Sequence, residues 1–324
     1  MGYKKPVILD IKGNSLDDGP GIRTVIFFKG CPLSCVWCHN PEAKYAGFEL
    51  SWDSKECIGC DDCINTCELG AISRENASFV DRQRCNLCFK CVEICPAAAV
   101  TKVGWAMEID EIVEMVKEDI PFFNNSGGGV TLSGGEPTLY MEFTADLLRK
   151  LKSLGIHTVL ETCGQFNYVP FMELVYPYLD TIFYDIKLFD ARKHEKYCGV
   201  DNSHILSNFE KLHLLYVEGG TEVVPRIALI PDITDTWRNL EGIALFLKKN
   251  GVTRVALLEY NPLWVEKTRK IGATNNYAEA EKMTKWMERS HVKGCFSIFD
   301  DFEVNAPARG MPAFAGGNRS IGRC

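Results

Sequence analysis

The sequence has no long hydrophobic run and no excess of positive charge. Its first residues lead into only a short apolar stretch, so we expect neither a signal peptide nor a membrane-spanning helix. The 36 Lys and Arg residues are outnumbered by 43 Asp and Glu residues, which gives a formal net charge of −7. This acidic balance argues against non-specific binding to nucleic acid or to anionic membranes.

Cysteine, in contrast, is abundant and unevenly distributed. Eleven of the 15 cysteines fall between residues 31 and 95 of the 324-residue chain. Disulfide frameworks are typical of small secreted domains, so metal or catalytic use is favoured in a long chain without a predicted secretory segment. We therefore predict metal centres in a protein of the reducing cytoplasm. Outside the crowded region, Cys198, Cys295 and Cys324 are predicted to be structural. Cys163 is predicted to be a packed small hydrophobe, with a thiol near the substrate as the alternative.

The first three cysteines, Cys31, Cys35 and Cys38, have the spacing CxxxCxxC and follow a predicted buried strand. Structural zinc sites use four protein ligands, usually from paired CxxC units, which fits three thiols poorly. Three thiolates can instead hold three corners of a 4Fe–4S cluster and leave the fourth iron open to a ligand that is not a side chain. Zinc binding and simple burial of the thiols are the alternatives.

A second cysteine-rich region contains an internal repeat. Two runs of spacing C-x2-C-x2-C-x3-C begin 28 residues apart, at Cys57 and Cys85. In bacterial ferredoxins with this pattern, the fourth cysteine of each run binds the cluster of the other run. We therefore predict two 4Fe–4S clusters, one on Cys57, Cys60, Cys63 and Cys95, and one on Cys67, Cys85, Cys88 and Cys91. A zinc ribbon is the alternative, although zinc does not require the x3 spacing twice.

Strand and helix patterns alternate after residue 100, which is typical of parallel βα units. Strands are predicted at 7–11, 25–28, 129–133, 157–160, 181–183, 222–230 and 254–258. A helical stripe runs from Ile109 to Ile120, and a capping box from Ser207 to Glu210 predicts a helix start.

The six predicted βα units indicate an α/β protein with a partial, TIM-like (β/α)6 barrel and a small ferredoxin-like insert. We expect a first barrel strand and cysteine loop at 1–48, the insert at 49–102 and the rest of the barrel at 103–300. A tail follows at 301–324, predicted to be loosely ordered from Ala306.

Around the first cysteine loop, the segments DGPGIRT, FFKGCPLSC and WCHNPE resemble the glycyl radical enzyme activating enzymes of the radical S-adenosylmethionine (SAM) superfamily. The resemblance implies that SAM binds the open iron and is cleaved reductively to a 5′-deoxyadenosyl radical. That radical takes a hydrogen atom from a glycine Cα of a partner enzyme. The resemblance also implies ferredoxin or flavodoxin as the electron donor, with the insert clusters relaying electrons or docking the donor.

The resemblance assigns cofactor contacts at the carboxyl ends of the strands, where catalytic groups of α/β barrels collect. The run from Ser133 to Pro137 resembles the GGE motif, which implies that Gly135, supported by Gly134, contacts the SAM amino group. Asp185, Ile186 and Lys187 resemble the D-[LI]-K motif, whose lysine meets the SAM carboxylate. The resemblance also implies SAM contacts by Trp37, Cys38 and His39, mainly through their backbone. It implies a further contact by Asn261, where relatives often carry His. Glu161 and Thr162, together with Asp185, are implied to hold a monovalent cation. Some relatives carry Asp at the position of Glu161.

Two other functions remain open at this point. A radical SAM enzyme acting on a small molecule or peptide shares the first cysteine motif, but we expect it to lack DGPGIRT and to carry extra clusters at its C-terminal end. An iron–sulfur electron carrier explains residues 57–95 but leaves Gly135, Asp185 and Lys187 without a role.

Overall fold

A nine-stranded sheet is the centre of the protein in the computed structural model, which describes residues 4–278 and 280–305. The predicted tail from Ala306, including Cys324, lies outside the described residues. The strands of the described chain are β1 (Val7–Ser15), β2 (Arg23–Phe28), β3 (Glu49–Trp52), β4 (Val100–Val103), β5 (Trp105–Ala106), β6 (Gly129–Gly134), β7 (His157–Thr162), β8 (Thr181–Asp185), β9 (Glu222–Ala228), β10 (Arg254–Leu258) and β11 (Glu303–Asn305). All except β3 and β4 join the large sheet.

The sheet order is β11–β10–β9–β8–β7–β6–β2–β1–β5. Strands β2 and β6 to β10 are parallel and are the six strands expected for the partial (β/α)6 barrel. Strand β11 extends the parallel set, whereas β1 and β5 add antiparallel strands at the other edge. Because the six strands point the same way, their carboxyl ends meet along one edge of the sheet.

Helices connect the parallel strands and cover the outer face of the sheet. The α-helices of the described residues are α1 (Asp62–Asn65), α2 (Lys90–Glu93), α3 (Ile109–Lys117), α4 (Ile120–Ser126), α5 (Met141–Ser153), α6 (Tyr168–Leu174), α7 (Ala191–Cys198), α8 (Ser203–Val217), α9 (Trp237–Lys249), α10 (Trp264–Lys270) and α11 (Arg289–Ser297). Within the same residues, every helix is too short or too polar to cross a bilayer.

Residues of the parallel strands alternate between two environments, as the period of a strand requires. Leu132, Leu160 and Ile182 are fully buried against the helices, in one core with Phe143 and Leu147 of α5. The polar residues at the alternate positions near the carboxyl ends are Ser133, Glu161, Asp185 and Arg226. The sheet therefore presents an apolar face to the helices and a polar row on its other face.

The cysteine-rich segment leaves the barrel through β3 and returns through β4, which pair antiparallel from Glu49 opposite Val103 to Trp52 opposite Val100. The repeat in the sequence is also a repeat in the backbone. Helices α1 and α2 both follow a residue in the left-handed conformation, Asp61 at φ +63° and Phe89 at φ +62°. Gly59 and Gly70 recur 28 positions later as Leu87 and Ala98, which keep a positive φ despite their Cβ atoms.

Contacts with the end of β2 and with α10 attach the insert to the barrel. The fully buried ammonium of Lys29 pairs with Glu49 of β3 at 2.7 Å and also donates to the backbone carbonyl of Glu42. On the surface, Lys270 of α10 pairs with Asp53 at 2.7 Å. Because exposed ion pairs contribute little, we expect the buried Lys29 contact to matter most.

Two helix predictions are wrong in detail. The stripe from Ile109 to Ile120 divides into α3 and α4, because Pro121 lacks the N–H that one continuous helix requires and fits only the first turn of a new helix. Helix α8 begins at Ser203 rather than at Ser207. The predicted capping box lies inside α8, whose first turn is fixed instead by a hydrogen bond from the Ser203 amide to Asp201 (2.8 Å).

Candidate active site

The loop that carries the first three cysteines lies beyond the carboxyl end of β2 and is held by the end of helix α7. The amides of Ser34 and Val36 donate to the carbonyl oxygens of Cys198 (2.8 Å) and Tyr197 (3.0 Å). Carbonyl groups in the last turn of a helix lack partners within the helix, so α7 supplies free acceptors for the loop. The protein itself therefore positions this loop.

The thiols of Cys31, Cys35 and Cys38 lie close enough to influence one another's ionisation. Burial, together with the two neighbouring thiols, raises the pKa of Cys38 to about 12. A hydrogen bond with the Cys198 thiol lowers the pKa of Cys35 to about 7, and the nearby ammonium of Lys187 acts in the same direction. The three predicted thiols are thus brought together at the edge where the parallel strands end.

The predicted glycine motif lies directly beside the cysteine loop. Gly134 ends β6 with a φ of +102°, a conformation that favours glycine. The Gly135 amide donates to the carbonyl oxygen of Phe28 (2.8 Å). A Cβ atom on Gly135 would lie 2.2 Å from the carbonyl oxygen of Gly30, immediately before Cys31. Only glycine therefore allows this close approach of the two loops.

Glu136, the third residue of the motif, is a structural link between β6 and β7. Its fully buried carboxylate accepts hydrogen bonds from the hydroxyls of Thr138 (2.8 Å) and Thr162 (2.9 Å) and from the Cys163 amide (2.7 Å). These bonds offset the free-energy cost of burying the carboxylate. Thr162, predicted as a cation ligand, thus directs its hydroxyl to Glu136.

A row of charged side chains crosses the ends of β7, β8 and β9. The Arg226 guanidinium forms ion pairs with both Glu161 and Asp185, at 2.9 Å from the Asp185 carboxylate. Lys187 donates to the second oxygen of Asp185 (3.0 Å). The Ser133 hydroxyl donates to the second oxygen of Glu161 (2.5 Å). Each carboxylate oxygen therefore has a partner within the protein.

For the two carboxyl groups of this row, burial acts to raise the pKa and ion pairing acts to lower it. Burial of Asp185 acts to raise its pKa, but Arg226 and Lys187 together hold the pKa below its ordinary value. For Glu161 burial prevails over the attraction of Arg226, and the pKa is raised.

His39 is partly buried beside the cysteine loop, and its buried Nε2 atom has no hydrogen-bond partner in the described residues. Its ring lies 5.8 Å from that of Tyr260. Burial lowers the pKa of His39 to about 4, so the imidazole is neutral at pH 7. Trp37, on the other side of Cys38, is also buried.

Two further predicted contacts use their polar groups locally. Ile186 is buried and its amide donates to the carbonyl oxygen of Arg226 (2.9 Å), which places Lys187 at the strand end. Asn261, in the loop after β10, accepts a hydrogen bond from the Leu263 amide (2.9 Å) through its side-chain oxygen.

In the insert, each predicted set of four cysteines lines one cavity. Cys57, Cys60, Cys63 and Cys95 line the first, and Cys67, Cys85, Cys88 and Cys91 line the second. All cysteines of the described residues are free thiols. Within those residues, no three His, Cys, Asp or Glu side chains are grouped as ligands of a single metal ion.

Comparisons with known proteins show the family to which the chain belongs. A family model described as "Radical SAM superfamily" matches residues 82–256, just over half of the chain. Models described as "4Fe-4S dicluster domain" and "4Fe-4S single cluster domain" match residues 49–96 and 17–71. The isethionate sulfite-lyase activating enzyme of Nitratidesulfovibrio vulgaris is 37% identical over 267 residues, covering 81% of this chain and 86% of that protein. This chain belongs to the glycyl radical enzyme activating enzymes.

A second relative and a solved structure each cover most of the chain. The 4-hydroxyphenylacetate decarboxylase activating enzyme of Clostridium scatologenes is 35% identical over 298 residues, covering 87% of this chain and 91% of that protein. The solved structure of a radical SAM methyltransferase from Sphaerobacter thermophilus covers 94% of this chain and 78% of that chain, with a TM-score of 0.52 and 12% identity. The latter likeness shows the shared fold, and the predicted partial barrel is confirmed.

Three contacts in the site of this activating enzyme are absent from the sequence prediction. Cys163, predicted to be a packed hydrophobe, and Cys198, predicted to be structural, lie beside the thiols of Cys31 and Cys35. The third contact is the pairing of Arg226 with Glu161 and Asp185. In the sequence, only the presence of a charged residue within the apolar strand VVPRIALI indicates a special role for Arg226. No spacing rule predicts the two thiol contacts, because they join segments more than 100 residues apart.

Proposed function

We propose that this protein activates a partner glycyl radical enzyme through a 4Fe–4S cluster bound by Cys31, Cys35 and Cys38. The observation that carries the proposal is the gathering of these three thiols beside the glycine motif and Lys187, at the carboxyl ends of parallel strands. The family contributes SAM and iron–sulfur chemistry. Two further clusters in the insert, on the two sets of four cysteines, bring the proposed number to three.

The residues of the site fit both cofactors. Three grouped thiols satisfy three irons of a cube and leave the fourth iron open. Gly135 lies where a side chain would collide with the carbonyl oxygens of Gly30 and Ala43, so glycine is needed for the backbone of the motif to lie this close to the cysteine loop. The buried Nε2 of His39 has an unsatisfied hydrogen-bonding capacity, and buried polar atoms usually have a partner.

When bound, the reduced cluster supplies the electron that splits SAM into methionine and a 5′-deoxyadenosyl radical, which takes a hydrogen atom from a glycine Cα of the partner. We assign Lys187 to the SAM carboxylate as a point charge, with Asp185 orienting the ammonium. Gly134 and Gly135 accept the SAM amino group through their backbone. The backbones of Trp37, Cys38 and His39, together with Ile186 and Asn261, line the rest of the SAM site.

The protein's own contribution is orientation and exclusion of water, since the cofactors carry the difficult chemistry. We further propose ferredoxin or flavodoxin as electron donor and the reducing cytoplasm as location. Residues 49–102 form the unit that receives electrons or docks the donor. Residues 1–48 and 103–300 form the SAM-binding barrel.

The proposal is tested on anaerobically reconstituted protein. We expect about twelve irons per chain, release of 5′-deoxyadenosine under strong reductant, and a glycyl radical signal in a large glycyl radical enzyme encoded by a neighbouring gene. A partner variant with alanine at the radical glycine is the control. Release of 5′-deoxyadenosine that never produces a radical in the partner would favour a small-molecule or peptide substrate.

An iron–sulfur electron carrier is the remaining alternative, and the same preparation distinguishes it. About twelve irons without any SAM cleavage would favour the carrier. The charged row around Lys187 favours the activating enzyme, because a carrier has no need for it.

A further inference from the structure

The two carboxylates implied to bind a monovalent cation, Glu161 and Asp185, are already neutralised by the protein. Arg226 pairs with one oxygen of each carboxylate. The other oxygens accept from Ser133 and Lys187. The hydroxyl of the third implied ligand, Thr162, donates to Glu136. The residues present therefore do not fit a metal cation.

We infer that the Arg226 guanidinium takes the place of the monovalent cation, so that this activating enzyme binds SAM without Na⁺ or K⁺. Two carboxylates beside two fixed cations, Arg226 and Lys187, form a set without net charge. An added metal ion would leave one unbalanced positive charge among side chains that are at most about one quarter exposed. Such a charge is costly where water is largely excluded.

The position of the guanidinium is fixed from several sides. Arg226 lies near the carboxyl end of β9, in register with Asp185 of the neighbouring strand β8. Its guanidinium lies 5.4 Å from the ring centre of Phe183, two residues before Asp185 on the same face. A planar fork spans two carboxylates better than an ammonium does, which favours arginine at this point.

The longer side chain of Glu161 is consistent with this arrangement. Some relatives carry Asp there, as the resemblance to the family implies. A glutamate reaches one methylene further, and here its carboxylate contacts both Ser133 and Arg226. Glu161 and Arg226 thus form a pair between β7 and β9, two strands that are separated by β8.

The inference predicts that Arg226 acts through Asp185 and Lys187 rather than by contact with the reacting atoms, so it is a positioning residue. In Arg226→Met the two carboxylates lose their shared partner and become a site that a small cation can fill. Arg254 provides a matched control, because Arg254→Met removes another strand-borne arginine that pairs with a carboxylate, Glu222, on the neighbouring strand.

The first test is independent of SAM chemistry and of the proposed function. Crystals of the wild-type protein are soaked in rubidium chloride, and anomalous scattering locates the ion. We expect no rubidium between Glu161 and Asp185 in the wild type and a site there in Arg226→Met. Rubidium bound between the two carboxylates of the wild type would overturn the inference. If Arg226→Met fails to fold, the wild-type result alone decides.

The second test rests on the proposed function and uses the SAM dissociation constant of the reconstituted protein. Sodium, potassium and tetramethylammonium chloride are compared at equal ionic strength. Wild-type and Arg254→Met values are expected to agree within about twofold, because screening is then the same. Arg226→Met is expected to bind SAM about tenfold more weakly in tetramethylammonium than in sodium or potassium. A wild-type affinity that requires Na⁺ or K⁺, or an Arg226→Met affinity that no cation improves, would contradict the inference.

Discussion

The cysteines of the barrel and those of the insert share a chemistry but differ in their surroundings. In the insert, each cavity is lined by four thiols, and Cys60 and Cys88 are exposed to solvent. In the barrel, three thiols lie beside a largely buried lysine, a glycine motif and the His39 Nε2 atom, which has no hydrogen-bond partner in the described part of the chain. Under the proposed assignment, four thiols would complete the coordination of a cube, whereas three would leave one iron without a side-chain ligand.

If the proposed clusters are bound, this difference would divide two tasks between the two regions. A cluster with four thiolate ligands near the surface suits electron transfer, whereas an open iron in a polar interior suits binding and cleavage of a ligand. Lys29 connects the two regions, since it follows β2, just before the cysteine loop, and pairs with the first residue of β3.

Cys35→Ala tests the difference between the two regions and should have the largest effect on SAM cleavage. Loss of one of only three ligands should reduce SAM cleavage to the assay background and lower the iron content from about twelve to about eight. Cys295→Ala is the control, because Cys295 is equally buried but lies away from the site in α11. Retained SAM cleavage in Cys35→Ala would refute the assignment of this cluster.

Gly135→Ala should have the next largest effect. The added Cβ would meet the carbonyl oxygen of Gly30 at 2.2 Å and that of Ala43 at 2.8 Å, so the cysteine loop must shift. We expect a loss of about 2 kcal/mol in the free energy of unfolding together with much weaker SAM binding.

The control for this variant is Gly294→Ala in α11, where a Cβ meets no atom within 4 Å and alanine is the better helix former. Denaturant unfolding and SAM titration check both variants. Wild-type SAM affinity in Gly135→Ala would show that the close approach of the two loops is not needed.

Lys187→Met should weaken SAM binding by about 10- to 100-fold, the effect of removing a hydrogen bond between charged groups. Cluster content should stay at the wild-type level, because Lys187 is not a ligand. Lys152→Met is the control: Lys152 pairs with Asp180 at 2.8 Å near the amino ends of the strands. Equal losses of SAM affinity in the two variants would argue against a specific contact by Lys187.

Cys60→Ala should have the smallest effect on SAM cleavage. We expect loss of one insert cluster, impaired activity with a protein electron donor and partial activity with a chemical reductant that reaches the barrel cluster directly. Iron analysis and 5′-deoxyadenosine release under both reductants provide the measurement. Disappearance of SAM binding would instead indicate that the insert is structurally required by the barrel.

The sequence predicts the features that repeat along the chain. The alternation of strand and helix patterns predicts the six parallel strands, and the 28-residue repeat extends to the positive φ angles of Asp61 and Phe89. The start of α8 is mispredicted, because Ser207 and Glu210 have the chemistry of a cap while the chain already turns at Asp201.

Local sequence patterns do not predict contacts between segments that are distant in the chain. Arg226 meets Glu161 only because β7 and β9 flank β8, and the Cys198 thiol meets Cys35 only because α7 ends at the cysteine loop. Strand order and helix ends, rather than local spacing, create these pairs.

The most direct test of the open iron is the electron paramagnetic resonance spectrum of the reduced, reconstituted protein before and after addition of SAM, with Cys35→Ala measured in parallel. We predict that SAM changes the spectrum of one cluster in the wild type and leaves the insert signals of the variant unchanged. A wild-type spectrum that SAM does not alter would contradict the assignment of an open iron to the loop of Cys31, Cys35 and Cys38.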